Sequence, residues 1–203
     1  MATDTVTVDQ LSTLITQNLY IQQSVSRKSK DTSSLSSLII RSLSQSDCIK
    51  LGTGIEKLLV DLILSHSTLK LVNIKPKNTK GQKERDHLFL DAASKTIYYA
   101  ELKSNINLDT EKSRSTYQKC QSIVQELQRE YPDHKIEWCL LALRYLDYTK
   151  IPVVIQKKYS PIHPHLCGIN QYLDTLNIPL EFTEDSYSTF LNQIADKMFE
   201  KQI

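Results

Sequence analysis

Between Thr96 and Tyr145 the chain changes its periodicity twice, and few folds accommodate that pattern. Thr96–Lys103 alternates as a strand, so Tyr98, Ala100 and Leu102 share one face and Tyr99, Glu101 and Lys103 the other. Asp109 is the predicted N-cap of the next helix, with Leu108 before it as a staple. In that helix Tyr117, Cys120, Val124, Leu127 and Tyr131 recur at steps of 3, 4, 3 and 4. Pro132 stops it, and Ile136–Tyr145 then reads as an apolar strand with Trp138, Cys139, Leu140, Leu141 and Leu143.

Upstream, Gly52-Thr53-Gly54 reads as a break. A helix is predicted over 54–65, with Ile55, Leu58, Leu59, Leu62 and Ile63 on its apolar side. Leu69–Ile74 alternates as a strand until Pro76, and Lys77–Glu84 is a lysine-rich loop. Asp86–Leu90 is the next strand, joined to Thr96–Lys103 by the turn Asp91–Lys95. From 54 to 145 the order is helix, strand, strand, strand, helix, strand, which predicts an α/β fold with a mixed central sheet flanked by helices.

The flanks are expected to be helical. Residues 7–22 and Ser34–Leu43 read as helices around a serine-rich loop, and Asn170–Leu176 and Glu184–Lys201 as two more. Ile151–Gln156 reads as a Val-rich strand and Lys157–Gly168 as a loop. The length of 203 residues suits one domain: a helical extension over 1–50, a core over 51–150 and a helical part over 151–203. No apolar run approaches the ~20 residues of a bilayer span. Met-Ala-Thr-Asp-Thr does not begin a signal peptide, so the default expectation is cytoplasmic. The four cysteines include no Cys-x-x-Cys pair, which argues against a zinc or disulfide framework. Four glycines in all argue against a glycine-rich nucleotide loop.

Charge is informative in its placement. The net value is only +2, yet Lys70, Lys75, Lys77, Lys80, Lys83 and Arg85 lie within sixteen residues opposed by Glu84 alone. Arg27, Lys28 and Lys30 form a smaller cluster. Such patches are the footprint of a phosphate-backbone contact. Glu101 and Lys103 project from one strand face, and if the two strands pair as a hairpin Asp86 lies beside Glu101. Two carboxylates there suit a hard cation such as Mg²⁺. At such a metal a phosphodiester is polarised and water becomes a better nucleophile. Lys103 would stabilise the negative charge that develops.

With Asp86, Glu101-Leu102-Lys103 and the helix bearing Glu56, the chain resembles the PD-(D/E)xK nuclease superfamily, and within it the type II restriction endonucleases. The matching order of elements covers about half the chain, and Arg85 stands where the motif has proline. The resemblance implies a restriction-endonuclease-like core. It also implies Mg²⁺ on Asp86 and Glu101, Lys103 assisting the water, and Glu56 supporting the site. The implied activity is sequence-specific hydrolysis of double-stranded DNA to 5′-phosphate ends in a prokaryotic cell. A homodimer and a cognate DNA methyltransferase are the implied partners. Lys75, Lys77, Lys80, Lys83 and Arg85 would lie along the DNA backbone, and Ser104 and Asn105 are further candidates for DNA contact. A repair or recombination nuclease of the same superfamily and a non-catalytic DNA-binding module are the alternatives.

The chain carries its own control in Asp133-His134-Lys135, which has the same acid-x-Lys spacing. It sits at a helix terminus with no second such triplet on a hairpin partner, and reads as a helix stop with solvated charges. His163-Pro164-His165-Leu166-Cys167 offers metal-ligand residue types without a fourth ligand, and reads as loop. His87 projects opposite to Asp86 and reads as a buried or edge histidine. Arg114 and Lys119 read as a solvated helix face.

Overall fold

The structure is a computed structural model that describes residues 4–5, 35–39, 43–72 and 85–199. The predicted helix over 7–22, the cluster Arg27, Lys28 and Lys30, and Lys75, Lys77, Lys80 and Lys83 lie outside the described residues. Of the segment Ser34–Leu43, residues Leu35–Leu38 form a 3-10 turn.

Strand β1 (Asp4–Thr5) pairs in parallel with β7 (Leu180–Glu181). Helix α1 runs Gln45–Ser65 without interruption. The predicted break at Gly52-Thr53-Gly54 is therefore absent. A capping box starts the helix at Gln45 instead: Ser44 Oγ accepts from Asp47 N at 3.0 Å, and Asp47 Oδ2 accepts from Ser44 N at 3.2 Å. Burial of Leu51, Ile55, Leu58, Leu59, Leu62 and Ile63 outweighs the roughly 1 kcal/mol that each glycine costs a helix. A Cβ at Gly52 would stand 3.9 Å from Ser104, so this turn of α1 packs against the chain just after the site strand.

The main sheet is mixed, with order β2-β3-β4-β5-β6. Its strands are β2 (Lys70–Leu71), β3 (His87–Asp91), β4 (Thr96–Lys103), β5 (Lys135–Ala142) and β6 (Leu166–Cys167). The first two pairings are antiparallel and the last two parallel. A parallel neighbour requires a crossover, and helix α2 (Thr110–Glu130) supplies it between β4 and β5. Asp109 caps α2 as expected, accepting from Lys112 N at 2.8 Å.

Three further helices complete the described fold: α3 (Val153–Lys158), α4 (Ile169–Thr175) and α5 (Glu184–Phe199). One sheet face, with Phe89, Tyr98, Ala100, Leu102 and Leu141, packs on α1, α4 and α5. On the other face, Leu88, Ile97 and Tyr99 pack on α2, and Leu140 and Ala142 on α3. The result is a three-layer α/β arrangement. No helix among the described residues is long and apolar enough to cross a membrane.

The chain beyond 150 departs from expectation in two places. Ile151–Gln156 is not a strand. The Pro152 carbonyl accepts from Ile155 N at 2.8 Å and Gln156 N at 3.0 Å, starting α3. Proline's fixed φ suits a helix start. Val153 and Val154 are left exposed at 63% and 66%, while Ile155 alone is buried. The predicted loop Lys157–Gly168 holds a 3-10 segment, Ser160–His165, and the edge strand β6.

Candidate active site

The site is built where β3 and β4 part. Their register pairs His87 with Ala100 and Leu88 with Tyr99. One step further along, Asp86 stands opposite Glu101, just outside the ladder. The amide of Leu102 donates to Asp86 Oδ2 at 2.7 Å, so a side-chain carboxylate takes a main-chain donor of β4. β4 itself stays paired to β5 as far as Lys103 opposite Ala142. Among the described residues the sheet thus opens on one side of β4 only, next to Asp86, Glu101 and Lys103.

Glu101 has 0% exposure. A buried carboxylate needs compensation, and it has four contacts. Lys103 Nζ donates to Oε1 at 2.6 Å, Lys119 Nζ lies 2.8 Å from Oε1 and 2.7 Å from Oε2, and Tyr99 Oη donates to Oε2 at 3.1 Å. Burial works to raise the Glu101 pKa, but Lys103 and Lys119 outweigh it and hold the group ionised below the usual range. Asp86 goes the other way. Burial and the neighbouring Glu101 charge raise its pKa, against the pull of the Leu102 amide, Lys119 and Lys103. Beneath the site, burial and the Glu101 charge push the Cys120 thiol up to about 11, so it is an inert core group.

Lys119 is the residue that sequence reasoning missed. It does not lie on a solvated face, because its side chain is only 28% exposed and reaches across to Glu101. The buried stripe of α2 is Ser113, Thr116, Cys120, Ile123 and Leu127. That stripe is rotated from the Tyr117–Val124 line, and the rotation brings Lys119 to the margin of the buried face. Counting only apolar residues skips Ser113 and Thr116, which are buried on this face.

The cluster balances two carboxylates against two ammoniums. Its donor set suits a divalent, oxygen-preferring cation in two respects. Asp86 accepts one hydrogen bond from the described residues. The mutual repulsion that raises its pKa is what a cation relieves. Glu101 is committed to Lys103 and Lys119, so a cation binding there has to displace an ammonium. The protein offers a pair of carboxylates, and no group of three or more His, Cys, Asp or Glu among the described residues is arranged for a metal.

Glu56 is joined to the site strand through its main chain, its carbonyl lying 3.1 Å from His87 Nε2. His87 has 0% exposure and faces α1 and α4, opposite to Glu101. Its Nδ1 lies 3.0 Å from Tyr172 Oη. A carbonyl only accepts, so Nε2 carries the proton and Nδ1 accepts from tyrosine. Burial lowers the His87 pKa to about 4, a neutral structural ring.

Arg85 makes a two-pronged ion pair with Glu130, at 3.0 and 2.8 Å, and reaches Glu126 at 3.4 Å. It therefore ties the start of β3 to α2. Ser104 is half-buried beside Gly52, and Asn105 Oδ1 accepts from Asn107 N at 2.8 Å in the turn leading to α2. His165 stacks on Trp138 with ring centres 4.0 Å apart. In the control triplet Lys135 pairs with Glu137 on β5. Comparison of the chain with protein-family models, curated proteins and solved structures returns no match.

Proposed function

We propose that this chain is a Mg²⁺-dependent endonuclease of the PD-(D/E)xK type, with a restriction-endonuclease-like core, acting on double-stranded DNA. The observation that carries the reading is the meeting of Asp86 with Glu101 and Lys103 at the open end of β3 and β4. The mixed sheet with helices on both faces agrees with it. Asp86 and Glu101 would hold the cation. When bound, it supplies Lewis-acid polarisation of the scissile phosphate and a water of lowered pKa. Lys103, 28% exposed, donates to a phosphate oxygen and to the attacking water. Water oxygen bonds to phosphorus, the bond to O3′ breaks, and the 3′ oxygen takes a proton, leaving a 5′-phosphate. A homodimer would place two such sites across a palindrome. A cognate methyltransferase would protect the host sequence.

The second reading is a DNA-binding module without catalysis, favoured by the closure of Glu101 under Lys103, Lys119 and Tyr99. One experiment separates them: incubation of a sequenced plasmid with the purified chain in Mg²⁺ and in EDTA, with fragment ends mapped. The nuclease reading expects discrete Mg²⁺-dependent fragments with 5′-phosphates. Glu101→Gln should then be folded and inactive. Absence of Mg²⁺-dependent cutting, or full cutting by Glu101→Gln, overturns the nuclease.

A further inference from the structure

The two lysines on Glu101 are not equivalent. Lys103 lies two residues along the same strand and donates to Oε1 at 2.6 Å. Lys119 comes from α2, and its ammonium straddles both oxygens, at 2.8 and 2.7 Å. That straddling position is the one from which a cation chelates a carboxylate. We propose that Lys119 holds the place of the divalent cation at Glu101 and leaves when the cation arrives. The inference rests on the metal-binding reading of the site, and goes beyond it by naming the group that competes with the metal.

Three features support the exchange. Glu101 has 0% exposure, and with Lys119 gone only Lys103 and the Tyr99 hydroxyl would remain on it, so a cation in the place of Lys119 is favoured. Lys119 is part-exposed on a flexible four-carbon stem, so its ammonium can swing to solvent while α2 stays in place. The charges also balance. At present Asp86 and Glu101 offset Lys103 and Lys119. With a divalent ion in place of the Lys119 ammonium the site carries one excess positive charge, which a single phosphodiester cancels. The swap is therefore most favourable when DNA is present, and an ion alone binds against competition. Once released, Lys119 stands at the margin of the site as a cation for the DNA backbone.

The test uses Mn²⁺ titrated by calorimetry without DNA into the wild type, Lys119→Gln, Lys119→Arg and Asp86→Asn. Lys119→Gln should bind Mn²⁺ at least about tenfold more tightly, because one competing charge is gone. Lys119→Arg, which keeps the charge, should stay near the wild type, and Asp86→Asn should lose the ion. A second measurement needs no variant. The Lys119 Nζ protons, slowed in exchange while bonded to Glu101, should exchange freely once Mg²⁺ is added, as read by nitrogen-15 NMR of the lysine ammoniums.

Equal or weaker binding by Lys119→Gln, or an Nζ signal that persists with Mg²⁺ bound, overturns the placeholder while leaving the metal site standing. If neither the wild type nor Lys119→Gln binds Mn²⁺, the metal reading itself fails and the inference with it.

Discussion

Replacing His87 with phenylalanine probes how the site strand is held. The ring is fully buried, donating from Nε2 to the Glu56 carbonyl at 3.1 Å and accepting at Nδ1 from Tyr172 at 3.0 Å. It thus pins the residue next to Asp86 to both α1 and α4. Burial lowers its pKa from 6.5 to about 4. The folded value lies below the unfolded one, so as pH falls the unfolded chain takes the proton first. Stability is complete above pH 6.5, declines through the window down to about 4, and levels off below it. The loss from this one residue amounts to about 2 kcal/mol at pH 5 and about 3 kcal/mol by pH 4. At pH 7, His87→Phe should itself cost about 1–3 kcal/mol, because the Glu56 carbonyl loses its donor and Tyr172 its acceptor. Its stability should then fall less steeply with acid. Urea denaturation followed by fluorescence of the single tryptophan, Trp138, reads both curves. Carboxylates common to the two proteins cancel in the difference. Parallel curves between pH 7 and 4.5 would refute a neutral, hydrogen-bonded His87.

Other outcomes follow from single contacts. Lys103→Ala should lower the rate of DNA cleavage about 10²–10³-fold with little change in DNA affinity, as measured by single-turnover kinetics and filter binding. Gly168→Ala should cost about 3 kcal/mol or more in urea, because its Cβ would fall 2.3 Å from the Leu146 carbonyl oxygen and 2.5 Å from the Asp147 nitrogen, both main chain.

The parts of this fold legible in the sequence are those that local physics decides alone. β4 is observed at its predicted bounds, Thr96–Lys103, because strict alternation admits only one assignment of faces. The α2 start was legible because Asp109 caps it. The start of α1 is not legible because glycine propensity is local, while the burial that overrides it comes from α5 and the sheet. The valines of α3 favour a strand, and the start imposed by Pro152 outweighs that preference, worth less than about 1 kcal/mol. At the site, Asp86, Glu101 and Lys103 could be aligned from hairpin register. Lys119 could not, because its reach depends on the rotation of α2 about its own axis. The pairing of Arg85 with Glu126 and Glu130 depends on that same helix.

Asp86 offers the sharpest separation of stability from chemistry. Burial and the adjacent Glu101 raise its pKa in the folded chain. For a carboxyl raised on folding, stability is complete below the unfolded pKa and is lost as pH rises through the folded one. At neutral pH the carboxyl at this position therefore works against the fold. An asparagine could keep the geometry, its Oδ1 accepting the Leu102 amide in place of the carboxylate now 2.7 Å away. Its amide would face Glu101 without repulsion. Asp86→Asn should accordingly raise the urea midpoint at pH 7 and flatten the decline in stability between acid and neutral pH. The same variant should lose divalent-cation binding and, with it, DNA cleavage. A residue that merely capped the free amide of β4 would show the opposite: an unchanged or lower midpoint, and activity retained. A gain in stability with a loss of cation binding would mean that the charge at position 86 is kept at a cost, for what it binds.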